Sequence, residues 1–521
     1  MTPSVLRRAG PWLALALLGA MAFWLYQPWR GRPFDVIDFS DFLGRLAAGT
    51  GFVDRLARLV GYYGAEHGRF NALSYAGLVA KWQLFGPNPF AWQLVRAAQL
   101  LLATAGTYLL LRRLSAGPWG AVLGASLVLY SYSANQAWVR LTLGEPLGLL
   151  CVLGAGLLAT EARTAAHWKL MALGSGLLMA LAILAKEMLV AWAPIVVYLG
   201  CYLNEQGRLE PIKRPDARGF WVLRSVGIGT VVASVPVILA IVLIKQQGYA
   251  TLFGGGGRSL LRIAEIAQRM LVPWPVAQAG EGPVLMLPAA LFVLAIVLGF
   301  RRSRGVAGWE SHARRATLLG LALPILGTAL YAPWPVYWPP YGLPFLFGSG
   351  LVLAMAVTSA EAVSPRSAMG GRAVAALCIA LVIAPSIHRA RRLAARQEVN
   401  AGLAMALLEH RGADSTIVAL VIPPRSALVG IGPAMRDYAL AMSPGSALPP
   451  ARDAQCAEVV ERIRRGLGRT NLISYADQCG ALPIVTVSVR RAFRYFDIER
   501  FAGVRDSMRA DLFDPLVPPR Q

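Results

Sequence analysis

Long apolar runs separated by short polar loops recur along most of this chain, and they constrain its fold more than any other feature. A run of about 17–25 apolar residues is long enough to cross a bilayer as a helix. Eleven candidates stand out: about 11–29, 90–111, 118–136, 141–160, 170–185, 188–204, 220–244, 283–300, 316–333, 341–359 and 373–388. The chain is 56% hydrophobic and 15% charged, too apolar for a soluble domain of 521 residues. The first run, PWLALALLGAMAFWLY after Arg7 and Arg8, has the look of a signal peptide. Because further spans follow, it reads as an uncleaved first span.

The loops give the orientation. With the N-terminus in the cytoplasm, the inner loops collect Arg112/Arg113, Arg163/Lys169, Arg208/Lys213/Arg214/Arg218, Arg301/Arg302/Arg304/Arg314/Arg315 and Arg366/Arg372. The short outer loops are poor in bases, as the positive-inside rule requires. The net charge of +23, from 51 basic and 28 acidic residues, therefore follows membrane topology and argues against a nucleic-acid partner. The expected fold is mainly α: a polytopic membrane domain of about eleven transmembrane helices over 1–388, with outer loops at 31–89 and 245–282. The tail, 389–521, mixes β-rich runs (STIVALVI, NLISY, LPIVTVSV) with a helical stretch (AEVVERIRRGL) and reads as a small extracytoplasmic α/β domain. Its two cysteines, Cys456 and Cys479, would then sit in an oxidising compartment and are expected to form a disulfide. Cys151, Cys201 and Cys378 fall in candidate spans and are expected to stay reduced. No internal repeat supports an inverted-repeat transporter.

Polar residues gather on the outer side. In IDFSDFLGRL, Asp38 and Asp41 are three apart and Arg45 follows four later, so all three share one face of a helix. One reading makes Asp38 a helix cap and pairs Asp41 with Arg45. The other makes a carboxylate at the membrane–water boundary a general base for a lipid-borne substrate. The same segment offers His67, a proton carrier or a plain surface residue, and Arg69, a phosphate clamp. WVRLTLGEPLGLL places Arg140 and Glu145 at the outer start of the fourth run, and LAILAKEMLV puts Lys186 and Glu187 between two runs. Adjacent Lys186 and Glu187 are either an ion pair or members of a site. The segment RSLLRIAEIAQRM, 258–270, is amphipathic and expected along the membrane surface, with Arg258 and Arg262 one turn apart. The preceding GGGG is a hinge, not a Walker loop, because no GxxxxGK[ST] exists. HExxH, GxSxG, DxD and a GxGxxG after a strand are also missing, as is any CxxC or Cys/His zinc spacing.

Taken in order, the short first span, the outer loop opening on aspartates, HGRFNALSY, FGPNPFAW, GEPLGLL and LAKE resemble the GT-C superfamily of polytopic glycosyltransferases. The nearest types are the protein O-mannosyltransferases and the lipid A aminoarabinose transferases. The resemblance covers about 10–390 in topology and about 30–190 in motifs. It implies a sugar donor on a polyprenyl phosphate and inverting transfer to a hydroxyl of a cell-envelope glycan, lipid or protein. It also implies an aspartate of the first outer loop as base, here Asp38, with Asp41 second. The late outer segment reads VYWPPYGLPF, without the arginine of the family, so donor phosphate falls to Arg69, Lys186, Arg258 or Arg262. No cofactor is required, and a divalent metal is not indicated. Two other readings stay open: a non-catalytic scaffold of the same fold, and a lipid-linked substrate transporter or flippase. The latter wants acids within the spans, and most spans have none.

Overall fold

A computed structural model of the protein describes residues 3–26, 45–47, 49–67, 69–245, 309–332 and 339–363, four short strands of the tail, and scattered positions within 34–42, 263–301 and 369–390. Twelve helices fall in the continuous stretches: α1 (Pro3–Tyr26), α2 (Phe52–His67), α3 (Ala72–Phe85), α4 (Pro89–Arg113), α5 (Pro118–Tyr130), α6 (Tyr132–Val139), α7 (Glu145–Glu161), α8 (Trp168–Ala185), α9 (Ala193–Tyr202), α10 (Ala217–Lys245), α11 (Trp309–Tyr331) and α12 (Leu346–Val363). Two 3-10 segments, Glu187–Trp192 and Pro339–Phe345, lead into α9 and α12. Proline in the first turn starts α4, α5, α7 and α9, where its missing N–H leaves no bond unmade. Asn88 adds a side-chain cap to α4 by accepting from the Phe90 and Ala91 N–H groups.

Six helical segments among the described residues are long and apolar enough to span a membrane: Ala9–Tyr26, Pro89–Arg113, Trp168–Ala185, Ala217–Ala240, Glu310–Tyr331 and Pro340–Ser359. The last is wholly buried and forms the centre, packed on α5 and α11. Beyond their base-rich first turns, α8 and α10 expose leucines, valines and isoleucines, among them Leu173, Leu177, Ile228, Val231, Val235 and Ile238, a surface suited to lipid.

Three of the eleven expected spans are helical but shorter or broken. The run at 118–136 is cut at Ser131, whose extended backbone ends α5 and whose hydroxyl accepts from Ala134 N–H to cap α6. Tyr26 secures this break by donating to the Leu129 carbonyl, and the Trp138 indole donates to the Val128 carbonyl at 2.7 Å. The run at 141–160 becomes the 17-residue α7, and 188–204 becomes a 3-10 turn followed by ten residues of helix. The candidates at 283–300 and 373–388 lie, apart from scattered positions, outside the described residues.

Close helix contacts rest on glycine. A Cβ on Gly176 of α8 would stand 2.4 Å from the Ser225 carbonyl oxygen of α10, so these backbones touch only because both sides are small. In the amphipathic stretch 258–270, Ile266 and Met270 are buried, and Met270 meets Thr328 of α11. The three β-rich runs of the tail contain strands β1 (Ile417–Val421), β2 (Thr470–Ser474) and β3 (Ile484–Val489), joined by β4 (Met508–Phe513). They form one sheet in the order β2-β1-β3-β4, with β1 and β3 parallel and the other pairs antiparallel. The helical stretch, Cys456 and Cys479 lie outside the described residues. Cys151 and Cys201 are buried free thiols.

The ends of the bundle differ. At one end Arg113 pairs with Glu161, Arg163 with Asp216, and Lys213 with Glu210. His312 of α11 is clamped there, accepting from Leu209 N–H and facing the Leu114 carbonyl at 3.1 Å. The opposite ends of α4, α7 and α8 bring together the groups that follow.

Candidate active site

Gly144 decides where this site forms. It precedes α7 and sits so close to α3 and the end of α8 that a Cβ would stand 2.0 Å from Ser74 Oγ and 2.9 Å from the Ala185 carbonyl oxygen. Ser74 holds the same junction by donating to that carbonyl at 2.6 Å. Glu145, next in chain, is thereby carried into the interior in the first turn of α7, where the helix dipole favours its charge. One residue past Ala185, Lys186 leaves the helix with an extended backbone and turns inward. Its Nζ lies 3.1 Å from Glu145 Oε1, with side chains 8% and 1% exposed. The approach is close enough for an ion pair but out of line for a hydrogen bond, so both Glu145 oxygens keep acceptor capacity.

The adjacent residues Lys186 and Glu187 therefore do not exhaust each other: the lysine takes Glu145 as its ion-pair partner. Glu187 is itself buried, its charge acts on Lys186 and Tyr75, and its Oε2 has no hydrogen-bond partner among the described residues. Burial pulls the Lys186 ammonium down, but Glu145, Tyr341 and Glu187 together outweigh it and hold its pKa above the ordinary lysine value. Burial pushes the Tyr75 phenol up, and the Glu187 charge adds to that.

Aromatic rings and further cations close the walls. Lys186 Nζ stands 4.4 Å from the centre of the Tyr341 ring, which stacks on Tyr331 at 5.1 Å. Arg69 reaches the Tyr341 hydroxyl at 3.4 Å. Phe42, Tyr63 and Tyr75 stack in series beside it, and Arg45 lies over the Tyr62 ring. Arg140 caps the end of α6 and opens the stretch of chain to Gly144. From that stretch the Leu141 carbonyl takes Lys81 Nζ at 2.9 Å, and the Leu143 carbonyl takes Arg96 Nη2 at 3.1 Å. Burial, with repulsion from Arg96, holds the Lys81 ammonium well below its ordinary value.

Of the residues expected from sequence, Arg69, Glu145, Lys186 and Glu187 meet here, and Arg140 ends α6 five residues before Glu145. Asp38, Asp41, Arg258 and Arg262 lie outside the described residues, as does the side chain of His67 at the end of α2. Sequence reasoning passed over Lys81, Arg96 and Tyr341. Arg96 carried a readable signal, a lone cation in an otherwise apolar span. Among the described residues no three His, Cys, Asp or Glu side chains gather as a metal site.

No family model and no curated protein matches the chain. Among solved structures it is similar to the Archaeoglobus fulgidus oligosaccharyltransferase tethered with an acceptor peptide containing the NVT sequon: 13% identity over 79% of this chain and 58% of that one, TM-score 0.44. A second match is AglB of the same organism in complex with an inhibitory peptide and a dolichol-phosphate, at 13% identity, 78% and 59% coverage and TM-score 0.43. A third is ArnT from Cupriavidus metallidurans bound to undecaprenyl phosphate, at 16% identity, 88% and 81% coverage and TM-score 0.38. The chain thus spans 58% of the length of the archaeal oligosaccharyltransferase.

Proposed function

We propose that this chain is an integral membrane glycosyltransferase that moves a sugar from a polyprenyl-phosphate donor to an acceptor hydroxyl on the outer face of the membrane. The cation excess around the Lys186–Glu145 pair carries this reading: Arg69, Lys81, Arg96 and Lys186 stand against Glu145 and Glu187. Such groups are costly in a bilayer protein and fit an anionic ligand such as a lipid phosphate. As the acceptor oxygen bonds to the anomeric carbon, the bond to the phosphate oxygen breaks and its electron pair leaves with the phosphate. Cations already in place stabilise that charge without reorganising. The acceptor proton passes to a carboxylate of the first outer loop, which we assign to Asp38, with Asp41 beside it. Arg69 and Lys186 then face the donor phosphate, with Arg258, Arg262 and His67 in the same outer set. In this reading the N-terminus is cytoplasmic, the membrane is the cytoplasmic membrane, and the tail is extracytoplasmic with a Cys456–Cys479 disulfide.

The test is glycosyl transfer by purified variants with a matched donor and acceptor. Asp38→Asn should lower turnover by roughly two to four orders of magnitude, the size of a general-base effect. Asparagine caps a helix about as well as aspartate, so near-normal turnover would make Asp38 a cap and move the base to Asp41 or the function to a scaffold.

A further inference from the structure

We infer that Glu187 is a specificity residue that accepts a hydrogen bond from a hydroxyl of the sugar being transferred. This rests on the reading of the chain as a glycosyltransferase with a lipid-phosphate donor. The observation is a group of open acceptors inside the site. Lys81 and Arg96 each donate to a backbone carbonyl, Lys186 sits on Glu145 and Arg69 reaches Tyr341, while Arg96 keeps its buried Nε and Nη1 without an acceptor among the described residues. Open acceptors stand beside these donors. Glu187 Oε2, both carboxylate oxygens of Glu145 and Asn71 Oδ1 are buried, and no donor among the described residues meets them in hydrogen-bond geometry. A buried carboxylate oxygen without a donor is expensive, because the water it gave up is not replaced.

These acceptors lie close to one another. Asn71 lies beside Tyr75, which also feels the charge of Glu187, and Lys186 feels both Glu145 and Glu187. The phosphate of a donor needs donors, which the cations supply. The glycosyl group beside it needs acceptors, and those are what remains. Glu145 has Lys186 beside it as an ion-pair partner, whereas Glu187 Oε2 has no donor among the described residues. The group it accepts from is a neutral hydroxyl and not an ammonium, because Lys186 and Arg69 stand beside it and the local charge is already positive. A carboxylate demands a donor at that place and strongly rejects a sugar lacking it, since its own oxygen would stay unpaired.

The test measures equilibrium binding to full-length protein in nanodiscs. Its probes are undecaprenyl phosphate and undecaprenyl phosphate carrying a neutral hexose. Wild type should bind the glycosylated lipid more tightly than the bare one. Glu187→Ala should weaken the glycosylated lipid by about tenfold or more, the range for a hydrogen bond to a charged group. Glu187→Gln, which keeps a neutral acceptor, should lose less. Both variants should hold bare undecaprenyl phosphate at least as tightly as wild type, because a negative charge beside Lys186 is gone, and that binding also shows that they fold. On wild type, one deoxy-hexose probe should reproduce the loss, and Glu187→Ala should add nothing to it. An equal loss for both lipids would make Glu187 a support for the phosphate site and overturn the inference. So would unchanged binding of both, or tighter binding of an amino-hexose probe than of the neutral hexose. If wild type binds neither lipid, the donor assignment itself fails, and the sugar contact fails with it.

Discussion

At the scale of the residue, the Glu145–Lys186 pair is where charge and burial bear most directly on stability. Both side chains are almost wholly enclosed, so removing one leaves the other charged and alone. Glu145→Gln should destabilise the protein by about 3–5 kcal/mol, the usual cost of breaking a buried pair. Glu145→Gln combined with Lys186→Met should recover a large part of that, because no lone charge remains. Thermal unfolding in detergent of the two single variants and the double variant checks this, and a double variant no better than the worse single would sink it. That these residues share a place was legible in the sequence, since isolated charges among apolar runs have few reasons to exist there. Their pairing was not. Lys186 and Glu187 are neighbours in the chain, and only the helix end at Ala185, with α7 packed beside it, turns the lysine toward Glu145. Arg96 and Lys81 bind backbone carbonyls, and no side-chain pattern announces such partners.

At the scale of the element, the site depends on how closely α7 approaches α3 and α8. Gly144→Ala forces a Cβ into Ser74 and the Ala185 carbonyl, so the start of α7 must shift and carry Glu145 with it. A displacement of about 1 Å is enough to lower turnover by around a hundredfold. Transfer assays on Gly144→Ala should show this loss while Gly86→Ala, whose added Cβ meets nothing and whose only cost is its positive φ, keeps activity near normal. At the base-rich end, α10 starts on Asp216, whose carboxylate accepts from Gly219 N–H and pairs with Arg163 at 2.6 Å. The hydrogen bond from Arg163 comes first among the causes that lower the Asp216 pKa below its ordinary value of 3.8. A carboxylate lowered on folding stabilises above its unfolded value, and that contribution is lost as pH falls through the folded one. Asp216→Asn keeps the cap but not the charge. Its deficit against wild type, less than about 1 kcal/mol for an exposed pair, should therefore be constant above pH ~4 and vanish in stronger acid. Unfolding measured on both proteins across that range decides it. The long spans were legible because apolar length alone defines them. The break at Ser131 was not, since serine is tolerated within spans and only its capping of α6 and the bonds from Tyr26 and Trp138 show that the helix stops.

At the scale of the molecule, the two ends of the bundle should face opposite compartments. A cysteine introduced at Glu205, between α9 and α10, should react with a membrane-impermeant thiol reagent only from the cytoplasmic side, and one at Gln83 of α3 only from outside. The reverse pattern would place the site in the cytoplasm and remove the case for a lipid-linked donor presented outside. The contrast between the ends also bears on biosynthesis. Lys81, Arg96 and Lys186 belong to segments that the proposed topology sends across or into the bilayer, yet bases retain a segment on the cytoplasmic side. Their partners are backbone carbonyls, rings and a glutamate from distant parts of the chain, so none of that compensation exists while the spans are emerging one by one. The crowd of arginines at the opposite end then has a second task beside its local pairs. In the proposed topology it would outweigh these few cations during insertion, so that a nascent chain would thread with its base-rich end inside before the contacts that justify its buried charges have formed.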